Sequence, residues 1–154
     1  MASLYASFFF LHVKRRWKNL WRQQHFLRLP YNLEWIATPE INWGSIDDTV
    51  TIIGMGNEEH ISFRIKLVDE GVYELNGKQA LYFTTLGLDA VTSEYILKSN
   101  QQSSVTITDY DKNRQIISGR FNIYLQKEWP NTADTLEVLN FTNGEFKGEI
   151  TYFE

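Results

Sequence analysis

The stretch "HISFRIKL", residues 60–67, alternates polar and apolar side chains without a break. Ile61, Phe63, Ile65 and Leu67 fall on one parity, and His60, Ser62, Arg64 and Lys66 on the other. Successive strand side chains point to opposite faces, so this pattern demands a strand buried on one side and wetted on the other. The same period recurs in "RFNIYLQ", with Phe121, Ile123 and Leu125 inward, and in "VTIT", with Val105 and Ile107 inward. In "EFKGEITYF" it sets Phe146, Ile150 and Tyr152 on one side, with Gly148 as a place for a bend or bulge. "LEWIAT", "TVTIIGM", "GVYEL", "ALYFTTL", "SEYILK" and "TLEVLNFT" add further strands.

Turn chemistry separates these runs. Asn76-Gly77 and Asn143-Gly144 match the dipeptide of a type I′ hairpin, "DYDKNR" joins "SVTIT" to "QIISGRF", and "EWPNTAD" parts the last two long strands. About ten strands in succession, with no helical stretch between them, predict an all-β antiparallel β-sandwich or flattened barrel. We therefore expect one domain over residues 26–154. Its 15% aromatic content suits strands, and a chain of 154 residues buries a core without staples.

Charge divides the chain. Residues 1–33 hold Lys14, Arg15, Arg16, Lys18, Arg22 and Arg28 and no acid. Nine basic residues then face all nineteen acids, a balance of −10. An acidic body repels phosphate backbones, so nucleic acid is not an expected partner. Residues 1–25 read as an appendage, either a short amphipathic helix or disordered. As a helix, Phe9, Phe10, Val13, Trp17, Leu20, Trp21 and Leu27 occupy roughly a third of the wheel, opposite Lys14, Arg15, Lys18 and Arg22. Such a helix can dock on the domain or lie on an anionic membrane surface, with Trp17, Trp21, Lys14, Arg15, Lys18 and Arg22 as the contact residues. A degenerate leader or an over-extended start is the other reading, since the charges follow the apolar run instead of preceding it.

Three motifs of the body resemble a known family. Gly71-Val72-Tyr73-Glu74-Leu75, Ile117-Ser118-Gly119-Arg120-Phe121-Asn122-Ile123 and Thr142-Asn143-Gly144-Glu145-Phe146 stand in the order seen in small secreted lipoproteins of Bacteroidetes, mostly of unknown function. The resemblance covers residues 26–153. It implies an antiparallel β domain at the cell envelope or otherwise outside the cytoplasm, and it carries no catalytic residues. The chain has no cysteine for lipid attachment, which departs from that pattern.

No motif spells a reaction. Asp109, Asp111 and Asn113 open like a calcium loop, but Arg114 stands where the sharp turn needs glycine and Arg120 where a closing glutamate belongs. A polar hairpin turn is the better reading. Glu58, Glu59 and His60 lack a second imidazole cluster, Asp47-Asp48 reads as a loop, and Ser118 has no nucleophile elbow around it. No catalytic residue, metal or cofactor is therefore expected. The expected role is a non-enzymatic binding module for an unknown ligand or envelope protein. Trp43, Tyr124 and Trp129 are the candidate ligand-binding residues, because aromatics near loops serve recognition. The alternatives are an interaction protein using edge strands or a membrane-surface segment, and a hydrolase built on an unrecognised carboxylate pair.

Overall fold

A computed structural model describes the chain over residues 11–19, 32–130 and 137–152, with side chains over 37–130 and 137–152. Ten strands form: β1 Leu11–Asn19, β2 Asn32–Gly44, β3 Thr49–Met55, β4 Glu59–Ile65, β5 Gly71–Leu75, β6 Ala80–Leu86, β7 Ala90–Leu97, β8 Ser103–Asp111, β9 Ile116–Trp129 and β10 Glu137–Tyr152. No helix occurs among the described residues, and the all-β expectation holds. The hydrogen-bonded order is β1-β10-β2-β3-β4-β6-β7-β9-β8-β5, with β1 also pairing β2 and β10 also pairing β9. These extra pairings close a circuit through β1, β2, β3, β4, β6, β7, β9 and β10. All neighbours are antiparallel except β2 and β10, which run parallel over Ile41–Trp43 and Ile150–Tyr152.

β9 and β10 are long because each serves two neighbours on one edge. β9 pairs β8 over residues 116–122 and β7 over 125–129. At the switch the Tyr124 N–H has no strand partner. The Ser103 hydroxyl, 1% exposed, accepts it at 2.9 Å. A buried amide left unpaired costs about 1–3 kcal/mol, so this serine stabilises the branch point.

The alternating residues face a filled interior. Ile61, Phe63, Ile65 and Leu67 are buried, as are Val105, Ile107, Phe121, Ile123, Leu125, Phe146 and Ile150. Phe63 lies 5.0 Å from Phe121 and 5.9 Å from Phe146, and Tyr82 lies 5.5 Å from Tyr95 and 5.4 Å from Phe141. Phe63 and Tyr82 thus meet rings from strands with which theirs share no ladder, Phe121, Phe146 and Phe141.

Several expectations need correction. Residues 11–19 of the appendage are strand β1, not helix or disorder. Val13 and Trp17 fit a helical spacing of four, but Leu11, Val13 and Trp17 all share one parity, and antiparallel neighbours on both sides decide for the strand. The remainder of that segment, including Trp21 and Arg22, lies outside the described residues. Asn143-Gly144 is not a hairpin turn. A type I′ turn needs positive φ at both central residues, and only Asn143 has it, at 55°. Register with β9 shifts between Phe141 and Gly144, so the pair is a β-bulge inside one continuous β10. Asn76-Gly77 does turn the chain, with Gly77 at φ 61°, but joins β5 to β6, which are not partners. Gly148 makes no bulge. Its bare Cα lets Ile41 approach, whose Cδ1 would sit 2.6 Å from an added Cβ.

Candidate functional site

Trp43 is the one predicted aromatic that the fold gathers with others. It shares the inward parity of Ile41 on β2, one step beyond the core, and stays half-buried. The parallel pairing of β2 and β10 sets Tyr152 beside it, and the two rings stack at 5.8 Å and 29°. Tyr152 is 49% exposed. Its hydroxyl donates to the side-chain carbonyl of Gln115, whose backbone carbonyl accepts the Ile150 N–H at 2.7 Å. Partial burial, and then the neighbouring Tyr110, push the Tyr152 phenol above its ordinary value. Tyr110 packs on the core in turn and carries Lys112 Nζ 5.5 Å above its ring.

Tyr73 completes this end. Its hydroxyl accepts from the Val68 and Asp69 N–H groups at 3.1 Å each and donates to the Asp69 carbonyl, which fixes the 66–70 loop. From that loop Asp69 reaches Lys112 at 3.4 Å, and Glu70 accepts the Tyr110 N–H at 3.3 Å. The Glu70 N–H, and then Lys112, hold the Asp69 carboxyl below its usual value. One end of the domain thus presents four rings, Trp43, Tyr73, Tyr110 and Tyr152, with an amide, an ammonium and a carboxylate at the rim. Chemically it is a stacking surface with polar edges.

The other two candidates do not join it. Trp129 is 50% exposed at the far end of β9, before a cis bond to Pro130. Almost the whole length of β9 and β10 separates it from Trp43. Tyr124 sits between the ends, half-buried, at the β9 switch. Trp17, Lys14, Arg15 and Lys18 are backbone positions on β1, where Trp17 lies opposite Leu139 and Arg15 opposite Phe141. Sequence reasoning missed Tyr73, Tyr110 and Tyr152. The inward parity of Tyr152 with Phe146 and Ile150 was the signal available for that residue.

The polar candidates are drawn into turns. Asp111 Oδ1 accepts the Asn113 and Arg114 N–H groups at 3.0 Å, and Oδ2 pairs Arg114 Nε at 2.6 Å. This bond to Arg114 keeps the Asp111 carboxyl below its usual value. Asp47 accepts the Thr49 hydroxyl at 2.6 Å. Glu58, Glu59 and His60 point three ways: to the Thr85 hydroxyl, to the Tyr82 hydroxyl and onto the Phe83 ring. Among the described residues no three His, Cys, Asp or Glu gather to hold a metal.

These turn carboxylates set an acid limit. Asp47, Glu58, Asp69 and Asp111 are all held below their ordinary values, Glu58 chiefly by the Thr85 hydroxyl and Asp47 chiefly by Thr49. A depressed folded-state pKa adds stability above the unfolded value of about 4 and loses it as pH falls through the folded one. Melting temperature should therefore hold from pH 7 to about 5 and decline below about 4. Thermal melts of Asp111→Asn should start lower at pH 7 and decline less on acidification. An unchanged acid slope would show that Asp111 takes no part.

No curated protein and no solved structure matches the chain. A family described as a domain of unknown function, DUF6252, matches residues 34–148, from within β2 to within β10. The chain therefore belongs to the DUF6252 family.

Proposed function

We propose that this protein is a non-enzymatic extracytoplasmic module that binds a glycan-like ligand at the aromatic end of a flattened barrel. The observation that carries this reading is the half-exposed Trp43–Tyr152 stack, tied down by Gln115. The interior is occupied by its own rings, so a ligand must be met at an end. Aromatic faces take the C–H face of a sugar ring, and Gln115, Lys112 and Asp69 offer donors and acceptors to its hydroxyls. Placement outside the cytoplasm, as a lipoprotein-like envelope component of Bacteroidetes, rests on the family resemblance of the three strand motifs. Against the membrane-surface alternative stands the strand over Lys14–Lys18, paired with β10 throughout and with β2 as far as Arg16, in place of an amphipathic helix.

Titration against an oligosaccharide panel, followed by tryptophan fluorescence and calorimetry, tests the reading. Trp43→Ala and Tyr152→Ala should each weaken binding about tenfold or more, equivalent to about 1.4 kcal/mol. Trp43→Phe should retain most of it, and Trp129→Ala should leave it unchanged. Absence of binding across the panel, or binding lost only with Trp129→Ala, would reject it.

A further inference from the structure

β2 and β10 touch directly only at the aromatic end, over Ile41–Trp43 and Ile150–Tyr152. Towards the opposite end they part, and β1 lies in the gap. It pairs β10 from Leu11↔Phe146 to Asn19↔Glu137, and β2 from Leu11↔Ala37 to Arg16↔Asn32. Empty, this gap would leave two facing rows of backbone N–H and C=O groups without partners. Such edges are costly when buried and recruit strands when exposed.

Both walls of the gap fall almost wholly inside the family match at residues 34–148, whereas the strand that fills it lies outside. The walls of the slot thus lie within the family match of this chain, and its filler comes from the segment before it. Residues 20–31 tether that filler to β2 and, extended, can reach up to roughly 40 Å. Charge suits either seating. Lys14, Arg15, Arg16 and Lys18 belong to a segment without acids, while the rest of the chain carries −10. Opposite fields of this kind draw a released segment to an acidic body, another copy's as well as its own.

We propose that the space between β2 and β10 is a strand-acceptor slot, which residues 11–19 of a second copy fill in exchange for the chain's own β1. The exchange is a domain swap: the same pairings form, and only the tether changes its route. It is independent of ligand binding at the aromatic end, and either idea can fail alone.

The chain has no native cysteine, so cysteine pairs report the seating directly. Arg16 stands opposite Asn140, whose Oδ1 has no hydrogen-bond partner among the described residues. Facing residues of an antiparallel pair lie about 4.5–5.5 Å apart at Cα, within disulfide range. Full-length Arg16→Cys and Asn140→Cys proteins are mixed, warmed towards the melting transition, cooled and oxidised. The expected result is a covalent heterodimer that accumulates severalfold above the mixture of Arg16→Cys with Glu145→Cys, a residue that faces His12 instead. The Arg16→Cys/Asn140→Cys double variant should form its bond within one chain at high dilution. A bond in the double variant without any heterodimer would overturn the proposal, since β1 would then be fixed in its own chain. Absence of both bonds would overturn it too, because residues 11–19 would not fill the slot. Equal yield from the off-register pair would mark collision chemistry and overturn it as well.

Discussion

Replacing Gly119 by alanine should lower the melting temperature by roughly 6–12 °C, from about 3 kcal/mol of strain at 2–4 °C per kcal/mol. Gly119 and Gly144 lie on the inner faces of β9 and β10 and are paired with phenylalanines across the ladder, Gly119 with Phe146 and Gly144 with Phe121. Each ring reaches over the opposing glycine. A Cβ at Gly119 would stand 2.5 Å from the Thr106 carbonyl oxygen of β8 and 2.6 Å from Phe146 Cζ. The ring can shift. The carbonyl belongs to the β8–β9 ladder and cannot move without breaking it. At Gly144 every close neighbour is the Phe121 ring, so the same substitution meets a softer obstacle. Gly144→Ala combined with Phe121→Leu should therefore lose less stability than the two changes summed, by about 1–2 kcal/mol. Gly119→Ala combined with Phe146→Leu should show little such relief. An alanine in an open strand site is better than glycine by about 0.5–1 kcal/mol, so the sign itself is diagnostic. Gly119→Ala melting within about 2 °C of the parent would mean that β8 yields, contrary to the geometry.

The glycines also show where sequence reasoning stops. "HISFRIKL" could be read correctly because alternation is a property of one strand, and Ile61, Phe63 and Ile65 are all inside. Asn143-Gly144 could not, because the dipeptide has the same local chemistry in a hairpin and in a bulge. What separates the cases is whether the flanking segments pair with each other. Here both pair with β9 on one edge and β1 on the other, so the chain runs straight on. Gly144 is there for the ring above it, not for its own φ. β1 was misread for a related reason: Val13 and Trp17 are spaced as on a helix face, and in nine residues only Leu11, on their parity but off that face, speaks for the strand. The site divides the same way. Trp43 was visible as an aromatic before a turn. Its partnership with Tyr152 depends on the parallel contact of β2 with β10, and that of Tyr110 on a register shift in β8 between Ile107 and Asp109. Neither is written in any local pattern.

Phe63→Ala should cost about 4 kcal/mol, or roughly 8–16 °C in melting temperature. Phe63 is 1% exposed and comes from β4, whereas its ring neighbours Phe121 and Phe146 come from β9 and β10, strands that share no ladder with β4. It is therefore a contact between opposite walls, made by side chains alone. Backbone ladders hold each wall, but they cannot refill a void between walls unless whole strands shift. Removing the ring leaves such a void, and cavity cost adds to the lost transfer energy. Phe63→Leu keeps most of the volume and should cost only about 1–1.5 kcal/mol. The tilted Phe63–Phe121 pair predicts a coupling of about 1 kcal/mol in a double-mutant cycle, beyond area alone. Phe83 supplies the internal control. It faces outward on β6, half-buried and stacked on His60 at 4.7 Å, and its loss should cost much less than that of Phe63. Chemical denaturation of these variants separates the outcomes. Equal losses at Phe63 and Phe83 would mean that the two walls are not held together by these rings.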